Sequence, residues 1–344
     1  MSIVTRRGGV AGAQHPPAHV AGPSPSSYAV RRAPRARLPH PLRRAAAVLA
    51  LLALLPAARP LRGQALDDGS MLPGRVLRTG VVVTHESWDR YWEGGLRRSN
   101  DNIGRFSAQS ATWIAGYGAS ARLTLLALLP YVRTRTSNGT LREMQGVQDV
   151  TVAAKYRVLA VPVAGGATAS VLVAGAVGVP VGDYSPDFLP LSIGLGSRRA
   201  SGRLTASVQA ERGWSASASA AYTWRGAVKL DRSTYYTDGE LHTTNEVPMP
   251  SVFDYTVGAG YRTGRLQVPV SVTAQRTLGG GDIRRQDMPF VSNRMNFVRV
   301  QGAVVYTLPA PALSVQLGAG RVVSGRNVGQ STAFSGGFLY TLPF

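Results

Sequence analysis

The sequence predicts an all-β protein, a transmembrane antiparallel β-barrel of about twelve strands and of the bacterial outer-membrane type. Three observations carry this. The chain closes on Phe338, Tyr340, Leu342 and Phe344, an apolar, aromatic-rich face at period two. In a final barrel strand such a face meets lipid while the edge pairs with the first strand. Period-two segments recur along the chain although its mean hydropathy is only −0.02, as one lipid face and one wet face require. The joins between segments alternate between tight and long, which is the rhythm of short periplasmic turns and longer outer loops. A soluble β-protein that happens to end on Phe accounts for the first observation but has no reason to keep the third.

The region before the barrel is of a different kind. Residues 1–44 are rich in Pro, Ala and Arg, with no acidic residue and no apolar periodicity, so they cannot bury enough surface to fold. Such a leader is either a disordered extension or the product of a start placed too far upstream. Arg43 and Arg44 then precede an apolar run from Ala45 to Leu55, Pro56 and the small-residue site Gly63-Gln64-Ala65. Residues 45–65 therefore read as the h-region and cleavage site of a secretory signal peptide. The run is too short for a membrane-spanning helix, which needs ~20 apolar residues. The Arg pair lacks the surroundings of a twin-arginine signal. Cleavage near Ala65 leaves one domain, residues 66–344, with no Pro- or Ser-rich interruption.

The strands are expected near 75–91, 107–118, 121–135, 147–159, 167–182, 192–211, 214–228, 252–262, 265–278, 295–308, 312–323 and 331–344. In the fourth, Val150, Val152, Ala154, Tyr156 and Val158 share a face opposed by Asp149, Thr151, Lys155 and Arg157. The seventh sets Trp214, Ala216, Ala218, Ala220, Tyr222 and Trp224 against Ser215, Ser217, Ser219 and Arg225. Its apolar face is aromatic at both ends, as two interfacial girdles require. The eighth opposes Phe253, Tyr255, Val257, Ala259 and Tyr261 to Asp254, Thr256 and Arg262. The ninth opposes Leu266, Val268, Val270 and Val272 to Arg265, Gln267, Ser271 and Thr273. The tenth opposes Val298, Val300, Val304 and Tyr306 to Arg299, Gln301 and Thr307. Gly118-Ala119-Ser120, Arg212-Gly213, Thr263-Gly264 and Pro309-Ala310-Pro311 are tight joins, whereas Lys229 to Ser251 and Gly279 to Arg294 are long.

Composition narrows the function. The formal charge is +20, but residues 1–65 hold ten Arg and no Lys, Asp or Glu. Removing them leaves about +10 of scattered charge, not the clustered footprint of a nucleic-acid binder. There is no cysteine, which excludes disulfide frameworks, Cys-ligated zinc and Cys nucleophiles. Within 66–344 the only histidines are His85 and His242. His85 and Ser87 share a strand face, the one arrangement a lipid hydrolase could use. Trp88 to Tyr91 follow at once as a strand running into a loop. His242 sits in the longest loop, and two isolated His do not make a metal site. The run Gly279-Gly280-Gly281-Asp282 lacks the strand–loop–helix setting of a phosphate loop. No enzymatic role, cofactor or metal is expected.

Between Gly116 and Trp224 the chain resembles the outer-membrane β-barrel family of phenol meta-degradation-pathway transporters. Gly116-Tyr117-Gly118, Arg122-Leu123 and Leu129-Pro130-Tyr131-Val132 are similar to its second hairpin. Gly146-Val147-Gln148-Asp149-Val150 with Lys155-Tyr156-Arg157 is similar to a characteristic strand, Gln148 standing where Gly is more usual. Val179-Pro180-Val181-Gly182-Asp183-Tyr184 is similar to its proline–glycine strand exit. The resemblance implies a barrel and transport of small solutes.

A charge facing lipid at mid-depth costs about 2–4 kcal/mol, so charged strand residues should face the interior. Lys155, Arg157, Glu211, Arg225, Asp254, Arg262, Arg265 and Arg299 are the lumen-lining candidates. They make either a pore lining that favours anions or a set of structural ion pairs. The expected function is a channel for small solutes, aromatic or anionic ones among them. The alternatives are a closed structural or adhesion barrel acting through its outer loops, and a lipid hydrolase. Outer-membrane lipid, the barrel-assembly machinery and a small-molecule solute are the expected partners, with no nucleic acid.

Overall fold

The computed structural model describes residues 66–237, 239–283, 290–309 and 312–344. The expected leader and signal peptide lie outside these residues, as do Ala310 and Pro311 of one tight join. The described chain is all-β but for a single 3-10 turn at Pro186–Phe188.

Twelve antiparallel strands close into a barrel. They are β1 Val76–Trp88, β2 Phe106–Gly118, β3 Leu123–Thr136, β4 in two pieces, Glu143–Val147 and Asp149–Val163, β5 Ala167–Pro180 and β6 Arg199–Ala210. The second half is β7 Trp214–Arg225, β8 Val252–Thr263, β9 Leu266–Thr277, β10 Asn296–Thr307, β11 Leu313–Arg326 and β12 Thr332–Pro343. Each strand pairs with its sequence neighbour, and β12 pairs with β1 from Val76↔Pro343 to Ser87↔Thr332. Closure leaves no unpaired edge, the condition for backbone to cross hydrocarbon. Val76 and Pro343, where β1 begins and β12 ends, lie at the end that carries the tight turns. The long joins lie at the other, which by the usual order is extracellular.

The wall follows the period-two rule. Val152, Tyr156, Tyr222, Tyr255, Val257, Val270, Val272, Val300, Phe334 and Phe338 point outward and are exposed, as a lipid-facing surface must be before lipid is added. Thr124, Thr205, Ser207, Ser219, Thr256 and Thr341, on the alternate positions, are buried. Three departures from the expected strands have local causes. A bulge between Arg157 and Leu159 inserts Val158 and lets β4 run on to Val163 with its faces exchanged. A second irregularity lies at Val298/Arg299 in β10. The sixth strand begins at Arg199, not near 192. Leu191 and Ile193, apolar at strand spacing, instead lie buried in the 181–198 loop.

The outer loops are folded. Residues 90–99 form a hairpin, and two more pairings, Val228–Lys229 with Glu246–Val247 and Tyr235–Thr237 with Glu240–His242, structure the 226–251 loop. Val228, Leu230, Tyr235, Val247, Met249 and Val291 form a buried apolar cluster, with Leu189, Leu195 and Phe290 against it. Three loops thus share one small core above the barrel.

Candidate functional site: the barrel lumen

The inward positions place charges in chords across the barrel. On β6, Arg203 donates Nη1 to Ser219 Oγ on β7 at 2.8 Å and Nη2 to Asp254 on β8 at 2.6 Å. Arg199 donates to Asp149 at 2.9 Å and to Thr151 Oγ1 at 3.0 Å, spanning β5. Arg299 on β10 reaches Glu86 on β1 at 3.3 Å and lies over the Phe297 ring. Arg78 on β1 donates to Ser314 Oγ on β11 at 3.0 Å. All of these contacts but the one from Arg203 to Ser219 skip at least one strand, so they brace the interior beyond what the sheet hydrogen bonds supply. Paired carboxylates and guanidiniums are what a charge needs once it leaves bulk water.

The inner surface has two walls of unlike chemistry. Leu126, Leu128 and Val132 of β3, Ala153 of β4 and Leu172 of β5 take the inward positions on one side. Further round the sheet, β6 to β9 present Arg203, Thr205, Ser219, Asp254, Thr256 and Thr273, with Thr256 and Thr273 hydroxyls 3.0 Å apart. Gln301 is inward by register, opposite Ser271, and yet exposed. A hollow therefore exists at mid-height on the polar side.

The extracellular part of the hollow is partly filled by the 181–198 loop. Strand β5 ends at Pro180, and at Gly182 a Cβ would sit 2.0 Å from the Val147 carbonyl oxygen, so only glycine permits the chain to turn inward there. Tyr184 donates its hydroxyl to Asp149 and accepts the Gly196 N–H at 3.0 Å. Burial and the hydrogen bond to Asp149 push the Tyr184 phenol above its ordinary range. Thr134 donates to the Leu191 carbonyl, and Gln148, which interrupts β4, donates to the Ile193 carbonyl. Arg232 of the next loop donates Nε to Asp187 at 2.7 Å, which raises its pKa, and lies over Phe290.

The candidate lumen residues divide. Lys155 is buried and inward, Asp254 and Arg299 are inward in the ion pairs above, and Arg225 and Arg262 occupy inward positions at opposite ends. Arg225 faces Arg199 in register. Neither Arg225 nor Arg262 has an acidic partner within ion-pair distance among the described residues. Three candidates sit at the periplasmic rim. Arg157 donates to the Ala121 carbonyl in the β2–β3 turn at 2.7 Å. Glu211 is exposed in the turn after β6, because that strand ends at Ala210. Arg265 lies in the turn before β9. Phe338 of β12 and Phe344 just past its end are exposed, with Tyr340 and Leu342 between them, and the Phe344 N–H donates to the Arg75 carbonyl at 2.8 Å. His85 and Ser87 share the outward face of β1, and His242 stacks on Tyr235 at 4.7 Å. Sequence reasoning passed over Arg78, Glu86, Arg199 and Arg203, although the alternation of β6 sets Arg199 and Arg203 on one face with Thr205 and Ser207.

A family model described as "Putative MetA-pathway of phenol degradation" matches residues 97–338. Among solved structures, an outer membrane channel from Pseudomonas putida F1 superposes with a TM-score of 0.61 at 16% identity, covering 81% of this chain and 100% of that one. The translocator domain of the autotransporter NalP from Neisseria meningitidis gives 0.42 at 12% identity, over 87% and 94%. The CymD monoaromatic hydrocarbon channel gives 0.34 at 11%, over 80% and 89%. At these identities the likeness is one of fold, and the first superposition alone is close enough to argue from. It sets the chain among outer-membrane barrels. No curated protein matches the chain by sequence.

Proposed function

The chain belongs to this phenol-degradation family, and from that premise we propose that it is an outer-membrane channel for small solutes, aromatic and anionic ones among them. The observation that carries the reading is the two-walled lumen. Leu128 of β3, half-buried and inward, lies on one part of the inner surface, while the half-buried Arg203 and the exposed Gln301 amide lie on another. Inward cations outnumber inward acids, which biases the field toward anions. In the same proposal residues 45–65 direct export and are removed, 66–344 form the barrel, and the aromatic closing strand ending at Phe344 is what the barrel-assembly machinery engages.

Swelling of proteoliposomes tests it. Wild-type protein should admit benzoate faster than a cationic aromatic amine of equal size, and both faster than a trisaccharide. Vesicles as tight as protein-free controls for every solute would instead favour a closed barrel that works through its outer loops. The apolar cluster shared by three of those loops is the observation on that reading's side.

A further inference from the structure

The outward face of the barrel is not apolar all the way round. Arg133 and Arg135 of β3, Glu143 of β4 and Arg321 of β11 are charged residues at outward strand positions. All four lie toward the end that carries the long joins, by the usual order the extracellular one. A charge facing lipid is tolerated only near the headgroups, so these residues mark that level.

They belong to a continuous polar surface. Strand register sets Arg321, Thr332, Ser87, Ser107, Arg135 and Glu143 side by side across β11, β12 and β1 to β4. One pair further down, His85, Gln109, Arg133 and Gln145 make a second polar row on β1 to β4. The row beneath is apolar, with Gly336, Val83, Ala111, Tyr131 and Val147 in register. The boundary is therefore abrupt. On β5 to β8 the outward positions stay apolar to the extracellular end, at Val179, Ala200, Trp224 and Phe253. Only one side of the barrel exchanges lipid contact for hydrogen-bonding groups.

Two of the guanidiniums are held side by side. Glu143 Oε1 accepts from Arg133 Nε at 2.7 Å, with Nη2 at 2.6 Å. Its Oε2 accepts from Arg135 Nε at 3.2 Å, with Nη2 at 3.0 Å. One carboxylate thus serves two cations, and the Nη1 group of each has no partner among the described residues. The side chains are 45% and 64% exposed. Arg321 is exposed too and has no ion pair or hydrogen bond among the described residues.

We propose that this face binds a phosphorylated glycolipid of the outer leaflet. Arg133 with Arg135 takes one phosphate and Arg321 another, since guanidinium edges match phosphate oxygens. The hydroxyls and amides of Thr332, Ser87, Ser107 and Gln109 lie between them and suit sugar hydroxyls. Four strand spacings, about 19 Å, separate the Arg135 and Arg321 backbones. Arginine side chains reaching toward each other narrow that gap to the span of a disaccharide with a phosphate at each end. The proposal does not depend on whether the barrel conducts.

Protein refolded from the denatured state carries no membrane lipid and serves as the starting material. Folding is scored by heat-modifiable gel mobility, and lipid bound in detergent micelles is counted by native mass spectrometry. Diphosphoryl lipid A should bind wild type at least tenfold more tightly than the same lipid stripped of its phosphates. Arg133→Gln with Arg135→Gln should weaken it about tenfold, and Arg321→Gln several-fold. Arg212→Gln, in a turn at the periplasmic end, should bind as wild type does. Arg321 holds no partner that folding needs, so its variant decides the matter if the double variant fails to fold. Wild type that retains no lipid A, equal binding of the dephosphorylated lipid, or unchanged binding in folded Arg321→Gln would overturn the site. Phosphatidylglycerol binding as tightly as lipid A, or inorganic phosphate displacing it at equal concentration, would overturn the glycolipid as its occupant.

Discussion

On β8, Tyr255 and Val257 lie open on the outside of the barrel, while one residue away Asp254 and Thr256 are held by Arg203 and Thr273 inside it. The two faces of one strand are governed by different physics. The outer face needs only to be apolar, because lipid is a uniform solvent and no partner has to be found. The inner face draws its polar partners from residues far away in sequence, such as Arg299 with Glu86 or Lys155 with Asp68. Substitution outside should therefore be judged by polarity alone, and substitution inside by which partner is lost.

The sharpest way to break this comparison is a neighbouring pair on β9. Val270→Arg puts a charge into lipid and should destabilise the barrel by about 2–4 kcal/mol near the midplane. Ser271→Arg points into the hollow and should cost far less. Denaturant unfolding in lipid vesicles measures both, and equal costs would mean the faces are misassigned. Thr151→Arg is a poorer control, because Thr151 accepts a hydrogen bond from Arg199.

Inside, the loss of one partner should act locally. Tyr184→Phe removes the hydroxyl that ties the 181–198 loop to Asp149, a bond to a charged group worth about 1.5–3 kcal/mol. Amides of 183–198 should exchange faster with deuterium while the strands keep their protection. Slower or unchanged loop exchange would show that Tyr184 does not anchor the loop.

A smaller effect is expected at the rim. Arg326 donates to Asp282, and Asn327 donates to the same carboxylate at 2.8 Å. The Arg326 hydrogen bond holds the Asp282 carboxyl below the ordinary carboxylate range. A depressed folded pKa contributes stability that is present above the unfolded value, about pH 4, and is lost as pH falls through the folded one. Protease cleavage in the 278–295 loop should accordingly rise on acidification below about pH 4, and Asp282→Asn should remove that dependence. A flat profile in wild type would remove the pair from the account of the loop.

The same division decides what could be read from sequence. The wall was legible because lipid imposes one rule at every second residue, and Phe344, Val270 and Tyr255 obey it without knowledge of their neighbours. The contents of the lumen were not. Leu191 and Ile193 carry strand spacing, but the turn at Gly182 and the bond from Tyr184 to Asp149 send them inward as a loop. Glu211 and Arg157 alternate correctly with their strands and still end at the rim, because turns and bulges fall where backbone geometry puts them. Asp68 has no periodic signal at all, since its position depends on Lys155, far along the chain.

Charge selectivity tests the central claim of a hydrated, net-cationic path most directly. Lys155 and Arg299 are poor choices for charge reversal, because a Glu at either position would face Asp68 or Glu86. Arg225 and Arg262 point inward without an acidic partner in reach among the described residues. Reversal potentials across planar bilayers in a potassium chloride gradient should show anion preference in wild type. In Arg225→Glu with Arg262→Glu that preference should vanish or invert, with folding unchanged. Cation preference in wild type, or a reversal potential untouched by both substitutions, would contradict the account.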